Sequence, residues 1–487
     1  MVIQVPAEEL TSVEQSLVEH VGRGELLDLA ADDEGIDEAA MRSWGESRTC
    51  RASVIRDVLL GRIAVNIDPH GVRLRGARIT GQLDLENIVT DVWLELEDCL
   101  LDEGVVARDA RLPGLWLSGC QIEHPAESPF DGTALSCGLL GLTGARVIGH
   151  TEGAAVELLA AHIGGRLDCT EMKVCNDSGP ALNANSLQVG QNMRLNGEFT
   201  GSGAGGAVCL LGAHIGGQIL FEGAKLRNDS GPALDAESLR VGEHLFLRWF
   251  TASGGGDTAA VNLKGAQVSG TFQFAPERPV EHKDDAHRRL AVDGLTYTGV
   301  PGRISAEAWR ELLREGTPGF AAQPYQQLAA GYRALGDDRE VRQTLMAQRD
   351  DQLARASTRW AERCWGWITR VTLGYGYKPW RALWFLVVVV ALSCVLAILL
   401  GAHGALTQTS RTATPGRSCT VVQQVSVGLD LNLPTGTSLA RENCDLTTDS
   451  ASVTAGWLSV GGWVLRLLAW VFAALFIAGF TSAVRKT

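Results

Sequence analysis

Eleven cysteines and ten histidines carry most of the latent chemistry in this 487-residue chain. A zinc site needs such residues in sets at short spacing, and thiol redox chemistry favours a CxxC pair. No two cysteines form CxxC, and no set of cysteines and histidines has the spacing of a zinc site. His162 and His214 occupy equivalent places two repeats apart, which is about 9–10 Å between stacked strands and too far to share one ion directly. Asp177 and Asp229 sit in two NDSGP segments. The G-G-x-G-x-D calcium nonapeptide does not recur around them, so they read as turns. GSGAGG at 201–206 is not followed by a helix and an acidic residue in a βαβ unit, and reads as a corner loop. GxSxG, HExxH and the P-loop are missing from the sequence. The residues therefore nominate no catalytic, cofactor-binding or metal position, and no cofactor is expected.

What they do nominate is a surface. Arg78, Arg111, Arg146, His162, Gln188, His214, Arg240 and Gln267 stand at a similar place in successive repeats, six of them after an alanine and Gln188 and Arg240 after a leucine. A stacked stripe of this kind suits anions, lipid headgroups or an acidic protein partner. Near the C-terminus, Cys419 and Cys444 flank a segment in which Val425, Val427, Leu429, Leu431 and Leu433 alternate with polar residues. The alternation predicts a short amphipathic strand, and the two cysteines a disulfide across it.

The element that must position the stripe is a repeat of 26 residues. NDSGPAL occurs at 176–182 and 228–234, and AHIGG at 161–165 and 213–217, both offset by 52. Val156, Leu182, Val208, Leu234 and, after one insertion, Val261 form one apolar column. Ile163, Val189, Ile215, Val241 and Val268 form a second; Leu167, Met193, Ile219, Leu245 and Phe272 a third. Cys169, Leu195, Phe221, Leu247 and Phe274 form a fourth. Apolar positions two and five apart describe strands broken by corners, not a 3.6-residue helix. A repeat this short cannot bury its own apolar side, so successive coils must stack. The fold class is mainly β: a parallel β-solenoid of about 26 residues per coil, with α-helical caps. Its two open ends need covers. Residues 47–61, with Val54, Ile55, Val58 and Leu59 as an apolar stripe, predict the first cover; helices at 305–314, 325–335 and 339–353 predict the second.

Two apolar runs follow, 383–402 and 461–482, the second interrupted by Arg466. Each is long enough to cross a bilayer, so the chain should end in a two-helix transmembrane hairpin. Six basic residues and one acid lie between Arg355 and Arg381, and Arg485 and Lys486 follow the second run. Segment 403–456 holds three arginines and four acids. Positive charge favours the cytoplasmic side, which puts both termini inside and 403–456 outside. Trp360, Trp365, Trp367, Lys378, Trp380 and Arg381, with Arg466 on the second span, are the expected membrane-interface residues. The hairpin also offers a route to oligomers. Residues 1–40 carry eleven acids against Arg23, which is most of the net charge of −13. That acidity excludes a general nucleic-acid binder and offers a patch for a basic partner.

LRGARITGQLDLEN, the GAHIGG coils, PYQQLAAGYRALGDDREVRQTL, the juxtamembrane GYGYKPWRALW at 374–384 and the closing WVLRLLAWVFAALFIAGFTSAVRK together resemble a family of actinobacterial membrane-anchored solenoid proteins. Its coils are distantly similar to pentapeptide repeats. The resemblance covers nearly the whole chain. Members are often named membrane-associated oxidoreductases, which implies a redox enzyme; the resemblance brings no catalytic residues to positions here. The expected organisation is an acidic N-terminal region and cap (1–70), the solenoid (71–300), a helical hairpin and juxtamembrane segment (301–380), a first span (381–402), an extracytoplasmic loop (403–456) and a second span (457–484). The expected role is a binding or scaffold module at the bacterial inner membrane, contacting the lipid bilayer and a protein partner on the solenoid face, with relay of a signal from the outer loop as a variant of that role. A membrane-associated oxidoreductase, or a channel or membrane effector, is the alternative.

Overall fold

The computed structural model describes residues 10–31, 33, 36–63, 66–356, 360–375, 380–402, 406–407, 419–430, 432, 445–446 and 453–486. These fall into two compact units, Met1–Ala347 and Gln348–Thr487.

The first unit is a parallel β-solenoid. A regular coil carries four short strands, as in Val156–Glu157, His162–Ile163, Leu167–Asp168 and Lys173–Asn176. Each pairs in parallel with its equivalent in the next coil, so the apolar columns stack directly: Val156 on Leu182, Ile163 on Val189, Leu167 on Met193. The inward side chains form one continuous core in which Phe130, Phe199, Phe221, Phe250, Phe272 and Phe274 are fully buried. The nine-stranded sheet begins at Leu83 and ends at Leu290. Nine rungs about 4.8 Å apart span roughly 40 Å. The coil length is not constant: Leu83 pairs with Val105, 22 residues on, whereas Val261 pairs with Leu290, 29 residues on.

Corners recur for a physical reason. Ala134, Ala160, Ser186, Gly212, Ser238 and Gly265 all have positive φ, the same left-handed corner in six successive coils. A second corner is made by Asn176 and Asn228, which are buried. Asn228 donates from Nδ2 to the carbonyls of Gly203 and Gly205, and its Oδ1 accepts from the N–H groups of Ser230 and Gly231, 3.0 Å each. Asn176 does the same for its own loop, reaching Gly153 O and Pro180 O at 2.8 Å. The buried amides thus satisfy loop backbone that stacking cannot pair.

Helices cover both ends. At the N-terminal end α1 (Ser12–Arg23), α2 (Glu38–Ser43) and α3 (Ala52–Leu59) pack on the first coils. Val54, Ile55, Val58 and Leu59 are buried as the apolar stripe predicts. The capping box that starts α1, between Thr11 and Glu14, is an element the sequence reading omits. Four acids of the N-terminal window are engaged within the chain. Glu14 grips Arg51 at 2.7 Å, Asp28 Arg75 at 3.2 Å, Asp33 Arg48 at 2.5 Å and Glu38 Arg146 at 3.0 Å, so these acids serve the chain's own arginines.

At the other end lie α4 (Ala306–Glu315), α5 (Ala322–Ala334) and α6 (Asp338–Asp351). Trp309 of α4 packs edge-on against Phe272 and Phe274 of the last rungs. Glutamines of α5 bond the exposed backbone of the last coil: Gln323 accepts from Gly294 N–H and donates to Leu295 O, and Gln327 donates to Tyr297 O. A free sheet end is thereby closed by side-chain amides, which prevents edge-to-edge pairing.

The second unit holds α7 (Trp360–Leu373), α8 (Trp380–Ala402), α9 (Val421–Asp430) and α10 (Val453–Lys486). In α8 the stretch Trp380–Ala402, and in α10 the stretch Val460–Ala478, are long and apolar enough to cross a membrane. Here one expectation fails. Val425, Val427 and Leu429 lie in a helix, not a strand; Leu431 and Leu433 are outside the described residues. Gln424 and Gly428, four apart, are the two buried positions of α9, and both meet α8. Tertiary packing at helical spacing overrides the β-like alternation.

Candidate functional site

The column of outward polar residues is set by the two corners that bracket it. Each strand is two residues long, one side chain out and one in, as in His162–Ile163, Gln188–Val189, His214–Ile215, Arg240–Val241 and Gln267–Val268. Behind them runs a stack of glycines. A Cβ on Gly190 would lie 2.1 Å from Gly164 O, on Gly216 2.4 Å from Gly190 O, and on Gly242 2.1 Å from Gly216 O. Only glycine permits this approach, which stacks the rungs of His162, Gln188, His214 and Arg240 closely. The result is one ladder, Arg111–Ser136–His162–Gln188–His214–Arg240–Gln267, paired rung to rung. Seven rungs extend over roughly 29 Å.

Two residues of the predicted stripe are not on it. Arg78 and Arg146 belong to the ten-stranded sheet, where Arg78 lies in register with Leu100 and Arg146 with Gln121. Each is committed elsewhere: Arg78 to Asp102 at 2.7 Å and Arg146 to Glu38 at 3.0 Å. A small residue followed by an outward polar one occurs at more than one corner of a coil, so the local motif alone does not identify the face. Ser136, which the motif search misses, was recoverable from its 26-residue offset to His162.

The charge state of the ladder sets it apart. Many other arginines of the solenoid are paired with carboxylates, as in Arg73–Glu95, Arg108–Asp131, Arg194–Asp168 and Arg248–Glu222. Among the described residues, no side-chain hydrogen bond or ion pair engages Arg111, His162, Gln188, His214, Arg240 or Gln267, and all six are exposed. No carboxylate stands on any of the seven rungs. The rim is apolar. Val89, 72 % exposed, bridges to Arg111 at the head of the column, and exposed Leu159 and Leu211 precede the corners that lead to His162 and His214. Uncommitted cations and imidazoles beside exposed aliphatic groups are what an acidic, partly apolar partner requires.

The remaining candidates are structural. Burial pushes the Cys50, Cys137 and Cys209 thiols up to about 12, and raises Cys120 and Cys169 well above the ordinary thiol value, so none is a thiolate nucleophile. Asp177 pairs with His150 at 2.7 Å and Asp229 with Arg227 at 3.0 Å, in loops held by the buried asparagines. Among the described residues no three His, Cys, Asp or Glu side chains gather as for a metal. Trp360, Trp365, Trp367 and Trp380 are exposed, Arg381 is half-buried, and the Arg466 guanidinium lies 6.0 Å from the Trp463 ring centre; Lys378 is outside the described residues. Cys419 is disulfide-bonded and buried, while Cys444, the partner predicted for it, is outside the described residues.

No family model, curated protein or solved structure matches this chain.

Proposed function

We propose that this chain is a membrane-anchored binding module whose Arg111–Gln267 ladder takes up an acidic, extended protein segment at the cytoplasmic face of a bacterial inner membrane. One observation carries the reading: in a chain of net charge −13, this long register line holds two arginines and two histidines, no carboxylate and, among the described residues, no side-chain partner. An extended segment lying along the column would meet a cation or hydrogen-bonding group about every 4.8 Å, with Val89, Leu159 and Leu211 supplying apolar contact. Anchorage by Trp380–Ala402 and Val460–Ala478 is supported by their apolar length, and the inward placement of both termini by the basic flanks at 355–381 and 485–486. The kinship suggested by GYGYKPWRALW belongs to the same proposal.

The test uses the full chain in lipid nanodiscs and a fluorescent acidic peptide with interspersed leucines. Binding that weakens with salt and is lost in the Arg111→Glu/Arg240→Glu variant, but kept in Arg78→Glu, supports the reading. Equal binding by both variants overturns it. Resistance to alkaline carbonate extraction, with protease protection of the termini in sealed cells, tests the anchorage.

A further inference from the structure

We infer that α9 is a re-entrant helix, inserted beside α8 to about half the depth of the bilayer, with its outward face against lipid acyl chains. The inference rests on the membrane reading above. The order of contacts gives the direction. At the end of α8, a Cβ on Gly401 would lie 2.0 Å from Nε2 of Gln424. One α9 turn further, a Cβ on Gly428 would lie 2.7 Å from Cys394 Cα and 3.0 Å from Ser393 O. Just beyond α9, Ser393 Oγ donates to Asn432 Oδ1 at 3.3 Å. Residues 424, 428 and 432 thus step back along α8 from 401 to 393. At 1.5 Å per residue that descent is about 12 Å, close to half of a ~30 Å hydrocarbon core.

The side chains agree with that depth. The α8 face under α9 is Ser393, Ala397 and Gly401, small residues four apart and buried, the spacing that lets helices touch within lipid. Polar groups on the contact are satisfied internally. Gln424 Nε2 donates to Cys419 O at 2.9 Å, Asn432 Nδ2 to Gly428 O at 2.9 Å, and Ser393 Oγ also to Val389 O at 3.0 Å. Such closure is required where water cannot compensate. The exposed residues of α9 are apolar, Val421, Val422 (79 % exposed) and Leu429, continuous in character with exposed Leu392, Val395 and Leu399 of α8, whereas Gln423, Ser426 and Asp430 are half-buried. A helix lying in water would leave its polar residues the most exposed; on α9 the most exposed residues are two valines and a leucine. Disulfide-bonded Cys419, buried with Leu400 and Leu406, pins the shallow end.

The experiment places single cysteines at Val422→Cys and Leu429→Cys in a Cys175→Ser/Cys364→Ser/Cys394→Ala background of the full chain. In sealed cells both should lose labelling by a membrane-impermeant maleimide and regain it on denaturation. Bimane attached at 429 in vesicles should be quenched more by mid-chain nitroxide lipid than by headgroup nitroxide, with the order reversed or levelled at 422. Labelling of 429 from outside would overturn the inference in favour of an aqueous loop. Protection without quenching by either nitroxide would overturn it in favour of a protein-covered face. Release of the chain by carbonate would instead sink the membrane reading, separately from the depth of α9.

Discussion

Arg240 stands on the same register line as Arg111, five rungs along the solenoid, with Ser136, His162, Gln188 and His214 between them in unbroken pairing. Their separation is therefore fixed at about 24 Å by backbone stacking and not by side-chain choice. A partner that bridges them must be extended.

Reversing both charges, Arg111→Glu with Arg240→Glu, should abolish the salt-sensitive acidic-peptide binding. It should leave thermal stability within about 0.5 kcal/mol, since both side chains are exposed and unpaired. Arg146→Glu makes the opposite pattern: binding persists, while the loss of its pair with Glu38 loosens the N-terminal cover. Calorimetry alongside fluorescence anisotropy separates the two.

Gly190→Ala should destabilise the solenoid by about 1–3 kcal/mol, because the new methyl would meet the Gly164 carbonyl and force adjacent rungs apart. Gly212→Ala, at a left-handed corner with open space around it, meets no such obstacle, and its cost of about 1 kcal/mol comes from backbone conformation alone. Urea unfolding of the pair distinguishes steric stacking from φ preference. Equal losses would show that the glycine stack is not close-packed in solution.

Asn228→Ala removes a buried amide that donates to two carbonyls and accepts from two N–H groups. Leaving those loop groups unpaired should cost about 3 kcal/mol. Asn228→Asp should also be poorly tolerated, since a carboxylate cannot donate to Gly203 O and Gly205 O. Hydrogen exchange would report the damage first at 203–205 and 229–231.

The N-terminal cover should be acid-labile. Burial alone would raise the Glu14 carboxyl, but the Arg51 guanidinium and the backbone N–H groups of Thr11 and Arg51 outweigh it and hold the group below its ordinary value of 4.5. A depressed folded-state pKa means the unfolded chain binds the proton more tightly. The stabilisation is thus complete above pH 4.5 and drains away as pH falls through the folded value. Glu157 and Asp235, raised chiefly by burial, act with the opposite sign, favouring the folded chain at acid pH and losing that contribution as pH rises. Comparing Glu14→Gln with the parent isolates the first effect. The variant should lose about 2 kcal/mol near neutrality and show a flatter acid limb in the exchange of α1 amides. An unchanged acid limb would reject the assignment.

Much of the solenoid was legible before any coordinates. The four apolar columns and both NDSGP corners follow from identities 26 and 52 residues apart, because stacked coils impose the same environment at the same offset. The upstream coils were harder to read. Steps of 22 and 25 residues at Leu83–Val105 and Val105–Phe130 break the offset, so a local motif stood in for register and misplaced Arg78 and Arg146. The α1 cover was missed because its sequence is mostly polar, and its one buried carboxylate has a reason only beside Arg51.

Side-chain polarity along the chain sets the periodicity: which residues face inward, where the chain must turn, and that two long apolar helices follow the solenoid. Those are consequences of side-chain polarity and spacing, which are local or repeat at a constant interval. Only the tertiary structure decided which outward residues share a face and which cations remain uncommitted, since register and ion pairing join positions far apart in the chain. It also decided that Val421–Asp430 is a helix. Alternating valines admit either conformation, and the small face of Ser393, Ala397 and Gly401 against Gln424 and Gly428 selects the one that lets two backbones meet.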